Sequence, residues 1–127
     1  MQFYVAPPDV LDTHIQDLIG NRFIMKRGNT EREREETTLT DNATCEQLEG
    51  LKYVGLFFSM GNCAPCKMML QNLKNFYTDV NLEERKFEII LVSSDETQEE
   101  FDSHFSQMPW MALNLDDTRN NQIRDKF

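Results

Sequence analysis

The chain has 127 residues, of which 39% are hydrophobic, so it is long and apolar enough for one domain with a buried core. It carries 13 basic and 22 acidic residues, a net charge of −9, which argues against nucleic acid and anionic membranes as partners because both select basic surfaces. No stretch approaches the ~18 consecutive apolar residues of a membrane span, and the amino terminus lacks the features of a secretory signal. Three cysteines are too few for a disulfide-stapled secreted domain, so we expect a reducing compartment, most simply the cytosol.

The first third of the chain predicts a short helix and then a hairpin. Asp9 can cap a helix over residues 10–19, where apolar residues recur at helical spacing. Residues 22–27, RFIMKR, predict a strand, and residues 37–40 predict the strand that returns beside it. The charged segment between them, GNTEREREE at 28–36, is interpreted as a solvated turn or loop.

From residue 45 onward, predicted strands alternate with predicted helices, which is typical of an α/β fold with a mostly parallel central sheet flanked by helices. The two apolar runs YVGLFF and FEIILV predict strands buried on both faces. In chain order, the sequence predicts a helical turn at 45–49, a strand at 53–58 and a helix from the cysteines to about 77. It then predicts a strand at 87–92 and a helix at 96–107 that Ser94 or Asp95 caps. The last predicted elements are a strand at 112–115 and a helix from 116 or 117.

Two cysteines follow the first buried strand in the run FFSMGNCAPC, with two residues between them. Cys63 lies at the amino end of the predicted helix, where the helix dipole favours a thiolate. Cys66 lies three residues further on the same helical face and can attack a mixed disulfide formed by Cys63. The spacing, and its place at the carboxyl end of a central strand, indicate dithiol redox chemistry.

The residues around the pair suit a sharp strand-to-helix turn. Gly61 and Asn62 permit the turn, and Pro65 falls in the first helical turn, where its missing N–H costs little. Lys67 adds positive potential beside the cysteines. Trp110 is expected to pack near an edge of the sheet, with its N–H hydrogen-bonded.

Two other interpretations of the cysteines stay open. A structural zinc site needs four ligands, and the other candidates, Cys45, His14 and His104, are single and scattered. Inert core thiols are the second alternative, because free cysteine is often buried. His104 itself is interpreted as a surface residue, since its helix carries many acids.

Several segments together resemble the tryparedoxin/nucleoredoxin branch of the thioredoxin superfamily. They are Leu48-Glu49-Gly50, Gly55-Leu56-Phe57-Phe58-Ser59 before Cys63-Ala64-Pro65-Cys66, Phe76-Tyr77, FEIILVSSDE at 87–96 and Met108-Pro109-Trp110. The resemblance implies a thioredoxin-like fold, and exchange of dithiols with protein or small-thiol partners in the cytosol or nucleus without a bound cofactor or metal. It makes Cys63 the attacking cysteine and Cys66 the resolving one, with supporting positions at Asn62, Ala64, Pro65, Lys67 and Trp110.

The chain departs from the family pattern in two places. Asn62 and Ala64 stand where the family motif W-C-P-P-C has tryptophan and its first proline. No proline follows the last predicted helix, so we expect a thioredoxin-like domain over 22–127 that lacks the carboxyl-terminal cis-proline strand and hairpin, after an N-terminal extension over 1–21. The central sheet would then have an unpaired edge, which points to a longer natural chain or to another protein that covers it.

These features lead to two hypotheses about function. The first is a thiol–disulfide oxidoreductase that reduces protein disulfides with its CAPC dithiol. The alternative is a non-catalytic or redox-sensitive thioredoxin-like scaffold within a larger protein assembly, which the absent cis-proline segment, Asn62 and the net charge of −9 favour.

Overall fold

The computed structural model describes residues 2–6, 22–28, 30–37, 39–44, 48, 51–59 and 64–115. The described strands are β1 (Gln2–Ala6), β2 (Phe23–Lys26), β3 (Thr40–Ala43), β4 (Tyr53–Ser59), β5 (Phe87–Ser93) and β6 (Met111–Ala112). The described helices are α1 (Glu31–Glu36), α2 (Ala64–Val80) and α3 (Gln98–Phe105). The strands form one mixed sheet in the spatial order β1-β4-β5-β6-β2-β3.

Parallel strands form the centre of the sheet. β4 and β5 pair in parallel over their whole length, from Tyr53 opposite Phe87 to Ser59 opposite Ser93, and β6 pairs in parallel with β5. The helix α2 makes the crossover from β4 to β5. The predicted strands at 53–58 and 87–92 and the helix that follows the cysteines are therefore confirmed, whereas the strand predicted at 112–115 is shorter and begins one residue earlier.

Alternate residues of β4 and β5 enter two hydrophobic clusters on opposite faces of the sheet, because side chains alternate along a strand. Phe57 and Leu91 belong to the cluster that also contains buried residues of α2 and α3, and Leu56 and Ile90 belong to the other one. Ser59 comes two residues after Phe57, and Ser93 comes two residues after Leu91. Both serines therefore lie on the face that α2 and α3 cover.

The predicted hairpin is present, but its connection is not an open loop. β2 pairs antiparallel with β3, which begins at Thr40, three residues later than predicted. The interpretation of residues 28–36 as a turn or loop is wrong at 31–36, which form α1. Thr30 caps this helix, with its Oγ1 3.1 Å from the Glu33 N–H, and glutamate and arginine are good helix formers.

The amino end of α3 also differs from the prediction. Thr97 is the N-cap, with its Oγ1 accepting the Glu100 N–H at 3.1 Å, so the prediction of Ser94 or Asp95 as the cap is wrong. The Asp95 N–H donates instead to the Ser93 hydroxyl at 2.9 Å. The helix therefore starts at Gln98, two residues later than expected.

The strand β1 was not expected from the sequence. It pairs antiparallel with β4, from Gln2 opposite Phe58 to Ala6 opposite Val54. The prediction of an unpaired edge beside the central strand is wrong, because β1 occupies that edge of β4. The segment predicted to be an N-terminal extension thus contributes a strand to the sheet.

Three predicted elements lie outside the described residues: the helix at 10–19, the helical turn at 45–49 apart from Leu48, and the helix from 116 or 117. In the part of the chain that the structure does describe, no helix is long and apolar enough to cross a membrane.

Candidate functional site

The predicted dithiol belongs to the junction between β4 and α2. β4 ends at Ser59 and α2 begins at Ala64, so Cys66 is part of the first turn of that helix. Asn62 and Cys63 lie outside the described residues, and for Ala64, Pro65 and Cys66 the structure describes only the helical backbone. The expected passage from a buried strand into a helix at this place is confirmed, and the roles of the side chains stay predictions.

The exposed surface of α2 beside this junction carries a cation and an apolar side chain. Lys67 is exposed, and no acidic residue occurs in the first turn of α2. Met68 is 75% exposed although it is apolar. The reason is the helical period, since Leu70, Leu73 and Tyr77 form the buried stripe of α2 and Met68 points away from it.

Four polar side chains are buried at the carboxyl ends of β4 and β5, on the face that α2 and α3 cover: Ser59, Ser93, Asp95 and His104. Ser59 Oγ lies 3.0 Å from His104 Nε2. Ser93 Oγ donates to Asp95 Oδ2 at 2.6 Å. Because Ser59 and Ser93 are partners in the β4–β5 register, the two hydrogen-bonded pairs lie side by side. We refer to these four residues as the buried polar cluster.

His104 holds a neutral imidazole in this cluster. Burial lowers the pKa of His104 below its usual value of 6.5; the carboxylate of Asp95 opposes this shift and the ammonium group of Lys67 adds to it. The prediction that His104 is a surface residue is wrong, because only 3% of it is exposed. It shares the buried face of α3 with Phe101 and Phe105.

Trp110 lies in the hydrophobic core and not at an edge of the sheet. Its indole makes edge-on contacts with Phe57, at 6.3 Å between ring centroids, and with Tyr77 of α2, at 5.5 Å. The indole N–H has no acceptor among the described residues, so the expected hydrogen bond is not found there. The packing of Trp110 against Tyr77 therefore helps to hold α2 in position.

A half-open cavity of about 380 Å³ lies between β2 and α3, and no predicted site residue lines it. Its walls are formed by Ile24, Lys26, Thr40, Gln98, Asp102, Phe105, Ser106 and Asn114. Lys26 is almost fully buried, and its ammonium group donates to the carbonyls of Ser106 at 3.1 Å and Met108 at 3.2 Å. Burial lowers the pKa of Lys26 to about 8.

Metal binding finds no support in the described part of the chain. There, no group of three or more histidine, cysteine, aspartate or glutamate side chains could hold a metal ion. His104, one of the candidates for a zinc ligand, is hydrogen-bonded to Ser59. Cys45 and His14, the other two, lie outside the described residues.

The buried polar cluster was not identified from the sequence, although a signal for it exists. His104 lies three residues after Phe101 and four before Met108, so it falls on the apolar stripe of α3. Ser59 and Ser93 each continue the alternation of a buried strand by one more inward position. If the helical and strand periods had been applied to polar residues as well, they would have predicted His104, Ser59 and Ser93 on the covered face.

Comparison with known proteins shows similarity to the thioredoxin-like family, to nucleoredoxins and to tryparedoxins. A family model described as thioredoxin-like matches residues 50–127. Nucleoredoxin from Xenopus laevis is 43% identical over 70 residues, which make up 55% of this chain and 17% of that protein. This chain therefore spans less than a fifth of the length of that relative.

Two solved structures are similar in both sequence and fold. Tryparedoxin II from C. fasciculata is 31% identical, with a TM-score of 0.58 over 66% of this chain and 54% of that one. A structure of tryparedoxin II complexed with glutathionylspermidine is 30% identical, with a TM-score of 0.59 over 69% of this chain and 59% of that one.

Proposed function

Because the chain belongs to the thioredoxin-like family and to its tryparedoxin/nucleoredoxin branch, we propose that it is a thiol–disulfide oxidoreductase that uses Cys63 and Cys66. The observation that carries the proposal is the β4–α2 junction. A Cys-x-x-Cys pair occurs there at the amino end of a 17-residue helix and at the carboxyl end of a buried parallel strand. This end of the sheet is where α/β proteins place their reacting groups.

The reaction proceeds in two exchanges. The Cys63 thiolate attacks one sulfur of a substrate disulfide, forms a mixed disulfide and releases the first substrate thiolate, which takes up a proton. Cys66 then loses its proton and attacks the Cys63 sulfur, and the second substrate thiolate leaves. Two electrons pass to the substrate, the enzyme keeps the Cys63–Cys66 disulfide, and an external dithiol must reduce it again.

The electrostatics of α2 favour the first exchange. The amino end of a helix carries a partial positive charge that stabilises a thiolate. No acidic side chain of the first helical turn opposes that charge, and the exposed Lys67 adds to it. The first turn of α2, where the dithiol is proposed to react, is therefore not acidic, although the whole chain has a net charge of −9.

The proposed substrates are disulfides of proteins or of small thiols, in a reducing compartment such as the cytosol or nucleus. The tryparedoxin II complexed with glutathionylspermidine is a relative that binds a small thiol, which supports this class. The proposal includes no cofactor, metal, nucleic acid or membrane.

The test is the reduction of insulin disulfides with dithiothreitol as the electron source. We expect Cys63→Ser to fall to the rate of dithiothreitol alone, and Cys66→Ser to accumulate a mixed disulfide with its substrate, detected by mass spectrometry. Cys45→Ser is the matched control and is expected to keep the wild-type rate. A wild-type Cys63 that resists alkylation at neutral pH, together with no insulin reduction, contradicts the proposal.

The scaffold function remains the alternative, favoured by the strongly acidic surface. One argument for it is gone, because β1 already pairs with the edge of β4 that was expected to need a partner. The Cys63→Ser/Cys66→Ser double variant separates the two functions. A scaffold keeps its assembly in this variant, whereas an oxidoreductase loses its activity.

A further inference from the structure

We propose that the half-open cavity between β2 and α3 binds a short zwitterionic peptide, with the peptide carboxylate beside Lys26 and the peptide ammonium group beside Asp102. We refer to it as the β2–α3 cavity. Its volume of about 380 Å³ lies within the range of small-molecule sites, about 300–1,000 Å³. None of the described residues that line it belongs to the β4–α2 junction, so the inference goes beyond the proposed function.

A buried cation in the wall of the cavity is the first argument. Lys26 lines the cavity although only 1% of it is exposed. Its ammonium group donates to the carbonyls of Ser106 at 3.1 Å and Met108 at 3.2 Å. Because an ammonium group has three N–H donors, one donor of Lys26 has no acceptor among the described residues. A ligand carboxylate in the cavity supplies that acceptor together with the compensating charge.

The apolar part of the wall lies next to this cation. The ring centroid of Phe105, another buried residue of the wall, is 5.5 Å from the ammonium nitrogen of Lys26. Ile24 precedes Lys26 by two residues on β2, so both side chains lie on the same face of the strand. A peptide whose last residue is apolar carries a carboxylate and an apolar side chain on one carbon atom, and this matches the arrangement of the wall.

One face of α3 supplies a group of opposite charge. Gln98, Asp102 and Ser106 follow at intervals of four residues, and each interval is about 6 Å along the helix axis. The Gln98 side-chain amide donates to Asp102 Oδ1 at 2.8 Å and holds this carboxylate at the rim. Lys26 binds at the Ser106 end, one helical turn further on. A dipeptide, at about 3.3–3.6 Å per extended residue, spans such a separation between its ammonium and carboxylate groups.

The two charges together select a zwitterion over a simple anion or a simple cation. An anion in the cavity meets the carboxylate of Asp102, and a cation meets the ammonium group of Lys26. Outside the cavity, Glu35 of α1 and Lys74 of α2 act on Lys26 with opposite signs, and they form an ion pair with each other. The charge of Lys26 is therefore left to be balanced from within the cavity.

The first test uses the dipeptide Gly-Leu and two blocked forms of it, followed by amide chemical shifts of the wild-type protein. We expect saturable shifts at Ile24, Phe105 and Asn114 of the cavity wall. Gly-Leu amide lacks the carboxylate and N-acetyl-Gly-Leu lacks the ammonium group, so each should bind about 10-fold more weakly. Absence of saturable shifts at these residues, or equal affinities of Gly-Leu and Gly-Leu amide, overturns the inference. No folding defect enters, because all three titrations use the same protein.

Two variants assign the charges to the two ends of the ligand. Lys26→Met should abolish the preference for Gly-Leu over Gly-Leu amide, and Asp102→Asn should abolish the preference for Gly-Leu over N-acetyl-Gly-Leu. Glu99→Gln is the matched control, because it removes an exposed acid of α3 that does not line the cavity. It should keep both preferences. A preference that survives in the variant meant to remove it contradicts the placement of that charge.

The pH dependence of binding gives an independent readout of Lys26. Burial lowers the pKa of Lys26 to about 8, and the charged groups that face it are Glu35 of α1, Lys74 of α2 and Asp102 of α3. A bound carboxylate favours the ammonium form and raises this pKa in the complex. N-acetyl-Gly-Leu has no amine of its own, so its affinity should be constant below about pH 8 and fall by up to about tenfold per pH unit above it. Affinity that stays constant up to pH 9.5 contradicts the role of Lys26.

The dithiol variants keep this inference separate from the proposed function. We expect the Cys63→Ser/Cys66→Ser protein to bind Gly-Leu with wild-type affinity, because none of the described residues of the cavity wall comes from the β4–α2 junction. A wild-type protein that reduces insulin but does not bind Gly-Leu contradicts this inference alone. A protein that binds Gly-Leu in the cavity without reducing insulin supports this inference and contradicts the proposed function.

Discussion

At the scale of single residues, the same face of the sheet buries two basic side chains, Lys26 and His104, and satisfies them differently. Lys26 keeps its charge by donating to the carbonyls of Ser106 and Met108, just past the last residue of α3, where a cation is favoured by the helix dipole. His104 meets a hydroxyl and stays neutral. Lys26 is therefore bound to the main chain, and His104 is the one of the two that can exchange a proton with a neighbouring side chain.

Trp110 gives a prediction at this scale, because its indole is fully packed while its N–H has no acceptor among the described residues. Trp110→Ala should lower the free energy of unfolding by about 3–5 kcal/mol, since it removes the contacts with Phe57 and Tyr77. Trp110→Phe should lose less than half as much, because it keeps an aromatic ring and removes a buried N–H whose desolvation costs about 1–3 kcal/mol. Urea unfolding measures both values. Equal losses would mean that the N–H contributes a hydrogen bond.

At the scale of elements, short helices in this chain are defined by their capping residues more than by their composition. The run EREREE of α1 has no apolar residue, yet Thr30 caps it and Arg34 attaches it to the rest of the protein by donating to the Pro109 carbonyl at 3.2 Å. Lys74 of α2 makes a further ion pair with Glu35. A segment that looks like a solvated loop is thereby ordered beside α2.

The cap of α3 gives a prediction at this scale. Thr97 accepts the Glu100 N–H and so defines the start of the helix that carries His104. Thr97→Ala should destabilise the protein by about 1 kcal/mol, because one of the first amide groups of α3 loses its partner. Thr97→Ser keeps the hydroxyl and is the matched control, with a loss of a few tenths of a kcal/mol at most. Thermal unfolding checks both variants, and equal losses would show that the Thr97 methyl group, and not its hydroxyl, stabilises the helix.

At the scale of the whole molecule, the sheet order brings the carboxyl ends of β4 and β5 together at the centre of the sheet. β4 and β5 are buried on both faces and end side by side at Ser59 and Ser93. The carboxyl ends of both strands and the start of α2 therefore converge on one small region. This convergence assembles the buried polar cluster from β4, β5, the segment after β5 and α3.

Acid stability gives a prediction for the whole molecule. The pKa of His104 is lower in the folded than in the unfolded protein, so the unfolded state binds more protons once the pH falls below the unfolded value of about 6.5. The free energy of unfolding should therefore decrease from about pH 6.5 downward, until the pH passes the folded pKa of His104. His104→Gln removes this part of the decrease and leaves the part due to carboxylates. Urea unfolding between pH 5 and pH 8 checks the prediction, and parallel curves for the two proteins would contradict it.

The sequence by itself determined the elements whose residues follow one strong local pattern. The continuous apolar runs predicted β4 and β5, and the Cys-x-x-Cys segment with Pro65 predicted the start of α2, because these signals depend only on neighbouring residues. The resemblance to the tryparedoxin/nucleoredoxin branch rested on the same segments. Among the helix predictions, the wrong ones concern α1, where a charged run forms a helix instead of a loop, and the cap of α3, where Ser94, Asp95 and Thr97 are all polar candidates.

Only the tertiary structure decided which distant residues meet. β1 adds to the edge of β4 although about 50 residues separate the two strands, and no local property of residues 2–6 specifies that partner. His104 looked like one polar residue among many acids, yet the packing of α3 on the sheet buries it against Ser59, 45 positions away. Whether residues so far apart in the sequence are buried or paired depends on how whole faces pack together. A strand or helix face becomes buried only when another element packs against it. The dithiol motif is thus local, whereas the buried polar cluster exists only in the folded protein.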